Sequence, residues 1–126
     1  MPFKPAGYTS VAPYLLVSNA LETMNFLVKV FDATPLRVHR SKEGTIVHGE
    51  VRIDDTVVMF ADAAEGWPPI PAHVHIYVRD VDSTFDKAIA AGAIAVQAPV
   101  KKDDADRRGG FKDAGGTTWW VGTQVE

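Results

Sequence analysis

Among its 126 residues the chain has no cysteine, which excludes disulfide bonds, thiolate metal sites and a cysteine nucleophile. It also lacks any apolar run long enough to cross a bilayer. Its first residues, Met1-Pro2-Phe3-Lys4-Pro5, have no secretory apolar core, so a cytoplasmic location without membrane association is expected. Neither sign of charge is concentrated. The 13 Lys and Arg are interspersed with 16 Asp and Glu for a net charge of -3, which leaves no footprint for nucleic acid or anionic lipid. A Ser-His-Asp order and a phosphate-cradling glycine motif are both missing. Gly109-Gly110 and Gly115-Gly116 read as turns, so no cofactor is indicated. What is present is a hydrophobic content of 46%, suited to one compact domain with a core.

The chain is written twice. "VAPYLLV" is a short apolar run that stops at Ser18-Asn19, a helix N-terminus. In the following "ALETMNFLVKVF", Leu21, Met24, Leu27, Val28 and Phe31 predict one apolar stripe, and Asp32 suits the helix end. "TPLRVHR", "TIVHGEVRI" and "TVVMFAD" then read as strands, the last two joined by a turn at Asp54-Asp55. The same order restarts at Ala72. "HVHIYV" is a strand and "DVDSTFDKAIAAGA" a helix capped by Asp80 or Asp82 and closed by Gly92. "IAVQA", "RRGGFKD" and "TTWWVG" complete the set. Aligning Val17 with Val78 also aligns Asn19 with Asp80, Thr23 with Thr84 and Met24 with Phe85. The expected fold is therefore α+β, two tandem βαβββ repeats forming a curved, cleft-bearing sheet. Repeat one covers about 9–64, the proline-rich linker about 65–71, and repeat two about 72–123.

Strand alternation assigns faces. Val74, Ile76 and Val78 point toward the helix, and His73, His75 and Tyr77 point to the open side; their counterparts in the first half are Ala12, Tyr14 and Leu16. Two such sheets curved toward each other would enclose a cleft. His73 and His75, with alpha carbons roughly 6.5 to 7 Å apart, could share a metal or serve as cleft-lining hydrogen-bonding groups. "IVHGEVR" places His48, Glu50 and Arg52 on one face and Val47, Val51 and Ile53 on the other. Facing a cleft, His48 with Glu50 would be an acid-base pair; facing water, the same pattern is a solvated strand. Adjacent Trp119 and Trp120 must point to opposite sides.

The segments "APYLLVSNALETMNFLVKVFDA", "GTIVHGEVRIDDTVVMFAD", "HVHIYVRDVDSTFDKAIAAGA" and "GGFKDAGGTTWWVG" together resemble the vicinal oxygen chelate superfamily, which includes glyoxalase I, bleomycin-resistance proteins and extradiol dioxygenases. They are most similar to its glyoxalase-like branch. The resemblance implies the duplicated fold, a homodimer whose clefts are completed at the subunit interface, and four metal-ligand positions at Ala12, Met59, His73 and Trp120. Only His73 of these suits a hard or borderline divalent ion, so the resemblance stops short of a metal site and of the glyoxalase I reaction. It places Trp119 under the helix and Trp120 in the cleft beside Met59 and Phe111.

The functional expectation is a protein that binds a small organic molecule without a metal. Its candidate contacts are Tyr14, Met59, Trp67, His73, His75, Tyr77, Phe111 and Trp120, an aromatic platform with a thioether. The alternative is a lyase or isomerase using His48 and Glu50 or His73. Arg37 and His39 could supply an anion contact at the rim. "KKDDADRRGG" is expected to be a mobile loop at the entrance.

Overall fold

Asn19 turns the first strand into the first helix. Its backbone is extended, and its side chain accepts a hydrogen bond from Glu22 N, satisfying a donor that the helix leaves free. Asp80 does the same in the second half, accepting from Ser83 N. Asp32 closes the first helix in the left-handed conformation (φ 56°), as expected of a short polar residue. In the computed structural model, which describes residues 1–126, these signals frame ten elements. They are β1 (Tyr14–Val17), α1 (Ala20–Phe31), β2 (Thr34–Arg40), β3 (Ile46–Ile53), β4 (Thr56–Asp62), β5 (Ala72–Tyr77), α2 (Val81–Ala90), β6 (Ile94–Lys101), β7 (Asp106–Lys112) and β8 (Thr117–Gln124). Neither helix is long and apolar enough to cross a membrane.

The duplication is visible in the pairing. One sheet has the order β1-β4-β3-β2 and the other β5-β8-β7-β6. In each, the first strand runs parallel to the last, and the remaining pairs are antiparallel. Tyr14 pairs with Met59, and His75 with Trp120, at the same relative positions. Asp62 locks the first half internally: its carboxylate accepts from Ala20 N at 2.7 Å and Ile46 N at 2.8 Å, tying the start of α1 to the start of β3.

Both repeats share one core. It joins Leu27, Val51 and Phe60 of the first half to Phe111, Trp119 and Val121 of the second. The α1 side chains Phe26 and Phe31 reach the Phe111 ring at 6.0 and 6.1 Å between centroids. Helix α1 thus lies between the sheets, with α2 beside it, and the open faces look away from the shared core. The two sheets of one chain therefore do not turn toward each other to enclose the expected cleft. This position also changes the α1 stripe. Ala20, Thr23, Leu27 and Val30 are buried, whereas Leu21 and Val28 of the expected stripe are exposed, so the buried line runs one residue to the side of the expected one.

Three further positions differ from the sequence expectation. In β3 a bulge sets two residues, Ile46 and Val47, against one step of β2, so Ile46 turns into the core and Val47 comes to the open face. Gly109 and Gly110 lie within β7 rather than in a turn. Phe111, expected beside Trp120 in the cleft, is fully buried under the helices. Glu50 pairs with Met59, but the residue that pairs with Trp120 is Gly110, because five residues separate the last β7–β8 pair, Lys112 and Thr118, where two separate Ile53 and Thr56, and an odd difference shifts the register by one. One residue of shift moves every side chain of a strand to the other face.

Candidate functional site

On the open face of the first sheet, register aligns Tyr14, Met59 and Glu50 across β1, β4 and β3. Glu50 is nevertheless only 2% exposed, because the segment before β1 crosses it. Tyr8 donates its hydroxyl to Glu50 Oε1 at 2.5 Å, and His48 Nε2 lies 2.7 Å from Oε2. Arg37 covers the Tyr8 ring at 5.3 Å from its centroid, and Arg52 donates to the Gly7 carbonyl at 3.2 Å. Burial alone would raise the Glu50 pKa, but the hydrogen bonds from Tyr8 and His48 together hold it below the usual carboxylate value. The same bond to Glu50 pushes the Tyr8 hydroxyl up. An ionised carboxylate only accepts, so His48 carries its proton on Nε2. Nδ1 then faces the Tyr14 hydroxyl at 3.4 Å, long for such a bond.

Beside Tyr14 lies a groove of about 550 Å³ lined mostly by apolar side chains, Leu16, Val47, Ala61, Trp67 and Ile70 among them. Trp67 is 66% exposed, a large indole left in water beside the sheet. Backbone bonds between Ala64 and Trp67, and from Ile70 N to the Leu16 carbonyl at 3.1 Å, hold this connecting segment in place.

On the open face of the second sheet, Trp120 donates Nε1–H to His73 Nδ1 at 3.0 Å, and the two rings lie within 11° of parallel. Gly110 makes this possible, since a Cβ there would come within 2.7 Å of the Trp120 ring. Arg108 donates Nε–H to His75 Nε2 at 3.1 Å, Nη1 to Asp104 at 3.1 Å and Nη2 to Asp106 at 2.8 Å; Tyr77 donates to Asp106 at 2.7 Å. Burial first, and the Arg108 charge second, keep the His75 pKa below its ordinary value. The bond to Asp106 raises that of Tyr77.

The sequence-predicted residues thus fall into two groups. Tyr14, His48, Glu50, Met59 and Trp67 belong to the first open face, and His73, His75, Tyr77 and Trp120 to the second. Tyr8, Asp104, Asp106 and Arg108 were not anticipated. The last three carry a readable signal, an alternation of charged residues at spacing two, and Asp106–Lys112 is a strand rather than part of a mobile loop. Tyr8 precedes any regular element and has no such signal. Arg37, considered for an anion contact, is committed to the Tyr8 ring.

The donor set implied by the superfamily does not fit a divalent metal. Ala12 has no donor, Met59 offers a thioether, and the Trp120 N–H occupies the Nδ1 lone pair of His73.

The model of the Glyoxalase/Bleomycin resistance protein/Dioxygenase superfamily matches residues 8–121, and the chain belongs to that superfamily. It is 32% identical over 127 aligned positions to an uncharacterized protein of Mycobacterium bovis, covering 92% of this chain and 84% of the relative. Among solved structures it is similar to TioX from Micromonospora sp. ML1, with a TM-score of 0.79 and 24% identity over 92% of this chain and 98% of that one. It also resembles TnmS3, an antibiotic binding protein from Streptomyces sp. CB03234, with a TM-score of 0.71 and 18% identity over 98% of both chains. At these identities the two structures speak for the fold.

Proposed function

We propose that this protein binds a small, flat organic molecule without a metal, as a cytoplasmic homodimer whose clefts each combine the first open face of one chain with the second open face of the other. The observation that carries this reading is the apolar groove beside Tyr14, with Trp67 exposed above it. An aromatic wall of this kind gains most from covering a flat apolar surface. The stacked His73–Trp120 pair supplies a second plate, and Tyr77 and His75 supply polar edges. The shared core supports dimerisation, since it leaves the open face of each sheet on the side away from the other repeat. The description of TnmS3 as an antibiotic binding protein supports the same reading. A thermal-shift screen of aromatic metabolites and antibiotics tests it. At least one compound is expected to raise the melting temperature of the protein and to lose that effect in Trp67→Ala. A screen with no stabilising compound, or a hit indifferent to Trp67→Ala, contradicts the groove as the site.

A lyase or isomerase remains the alternative activity. The 2.7 Å contact of His48 with a shielded carboxylate favours that pair over His73, whose Nδ1 is taken by Trp120.

A further inference from the structure

Glu50 is a shielded carboxylate with two donors, and one of them, His48, turns its Nδ1 to the open face. A carboxylate that holds Nε2–H fixes both the tautomer and the ring plane, which is how proteins prepare an imidazole to accept a proton at its other nitrogen. The Nδ1 has no strong partner: the Tyr14 hydroxyl stands 3.4 Å away, and Tyr14 itself lines the apolar groove. Other ionisable groups around the pair are accounted for. Tyr8 is bonded to Glu50, Arg37 lies over Tyr8, Arg52 is bonded to Gly7, and the His39 ring centroid is 6.3 Å from that of His48.

We propose that His48 Nδ1 is the polar recognition point of the groove and that the ligand is an aromatic compound bearing an acidic hydroxyl, of the phenol class. On binding, the hydroxyl O–H bond breaks and an N–H bond forms at Nδ1. The electron pair stays on the ligand oxygen. The resulting imidazolium is balanced by Glu50, and Tyr14 turns its hydroxyl to donate to the phenolate. Tyr14 and His48 are then specificity-determining contacts, and the groove supplies the apolar bed. The inference rests on the groove being the binding site.

Isothermal titration with 4-nitrophenol and its methyl ether, 4-nitroanisole, separates the two ideas. The native protein should prefer the phenol by about tenfold or more, the worth of a hydrogen bond to a charged group, and the bound phenol should show the phenolate absorption band at a pH where the free probe is largely neutral. His48→Gln should lose the preference and bind phenol and ether with equal affinity. Equal affinity of the native protein for phenol and ether overturns this inference and leaves the groove reading standing. Failure of 4-nitrophenol to bind overturns this inference, and the groove reading is judged separately by the thermal-shift screen with Trp67→Ala. Imidazole ¹⁵N shifts of His48 in the unsubstituted protein test the same point independently of how the variant folds. Nδ1 should gain a proton with 4-nitrophenol and not with 4-nitroanisole; an Nδ1 that stays unprotonated refutes the transfer.

Discussion

At the scale of single residues, the first open face is organised around a carboxylate that the N-terminal segment removes from water. Glu50 is ionised in the folded protein because Tyr8 and His48 donate to it. Its depressed pKa makes a stabilising contribution that is fully present above about pH 4.3, the ordinary value for a glutamate, and is lost as pH falls through the lower native value. Glu50→Gln should therefore flatten the acid limb of a melting-temperature profile while lowering stability near neutrality; an unchanged acid limb would show that the carboxylate is not held as described. His75 works in the same direction through a different charge. Its neutral form accepts from Arg108, and its folded pKa is depressed, so its contribution is full above about pH 6.5 and declines below it as the unfolded chain takes up the proton. His75→Gln should weaken the slope of stability between about pH 5 and 7. At Gly110, a methyl group has no room beside the Trp120 ring. Gly110→Ala should cost about 1–3 kcal/mol by overpacking and, by displacing Trp120, should alter the imidazole ¹⁵N shifts of His73.

At the scale of elements, most of the fold was legible because capping chemistry is local. Asn19, Asp32 and Asp80 each act through hydrogen bonds or backbone conformation within a few residues, and each marks a helix end as the sequence indicates. Asn19→Ala and Asp80→Ala should each lower stability by about 1 kcal/mol, shifting the urea midpoint with an unchanged denaturant slope; no shift would show that the caps are redundant. Face assignment was legible only where register was. Tyr14 with His75, and Met59 with Trp120, follow directly from the repeat. Phe111 and Val47 did not, since a longer turn that shifts the register by one and a bulge each reverse a face, and neither leaves a signal in alternation alone. The role of Tyr8 was also hidden, because it depends on a contact spanning 42 positions between a segment without regular structure and β3.

At the scale of the whole molecule, the single core shared by the repeats decides what a cleft can be. With α1 between the sheets, one chain carries two separate open faces: an apolar groove with a carboxylate-held imidazole at its side, and a Trp–His plate with a locked Arg108 network. A site built from both needs a second copy. Complementation between two variants tests this most directly. Trp67→Arg impairs the first open face and Trp120→Arg the second, so neither homodimer should bind the compound that most stabilises the native protein. In a mixture allowed to reassort, half of the dimers are mixed and each carries one cleft with neither substitution, so binding should return to about a quarter of the native capacity. No recovery in the mixture, with mixed dimers shown to form, would contradict a cleft shared between chains.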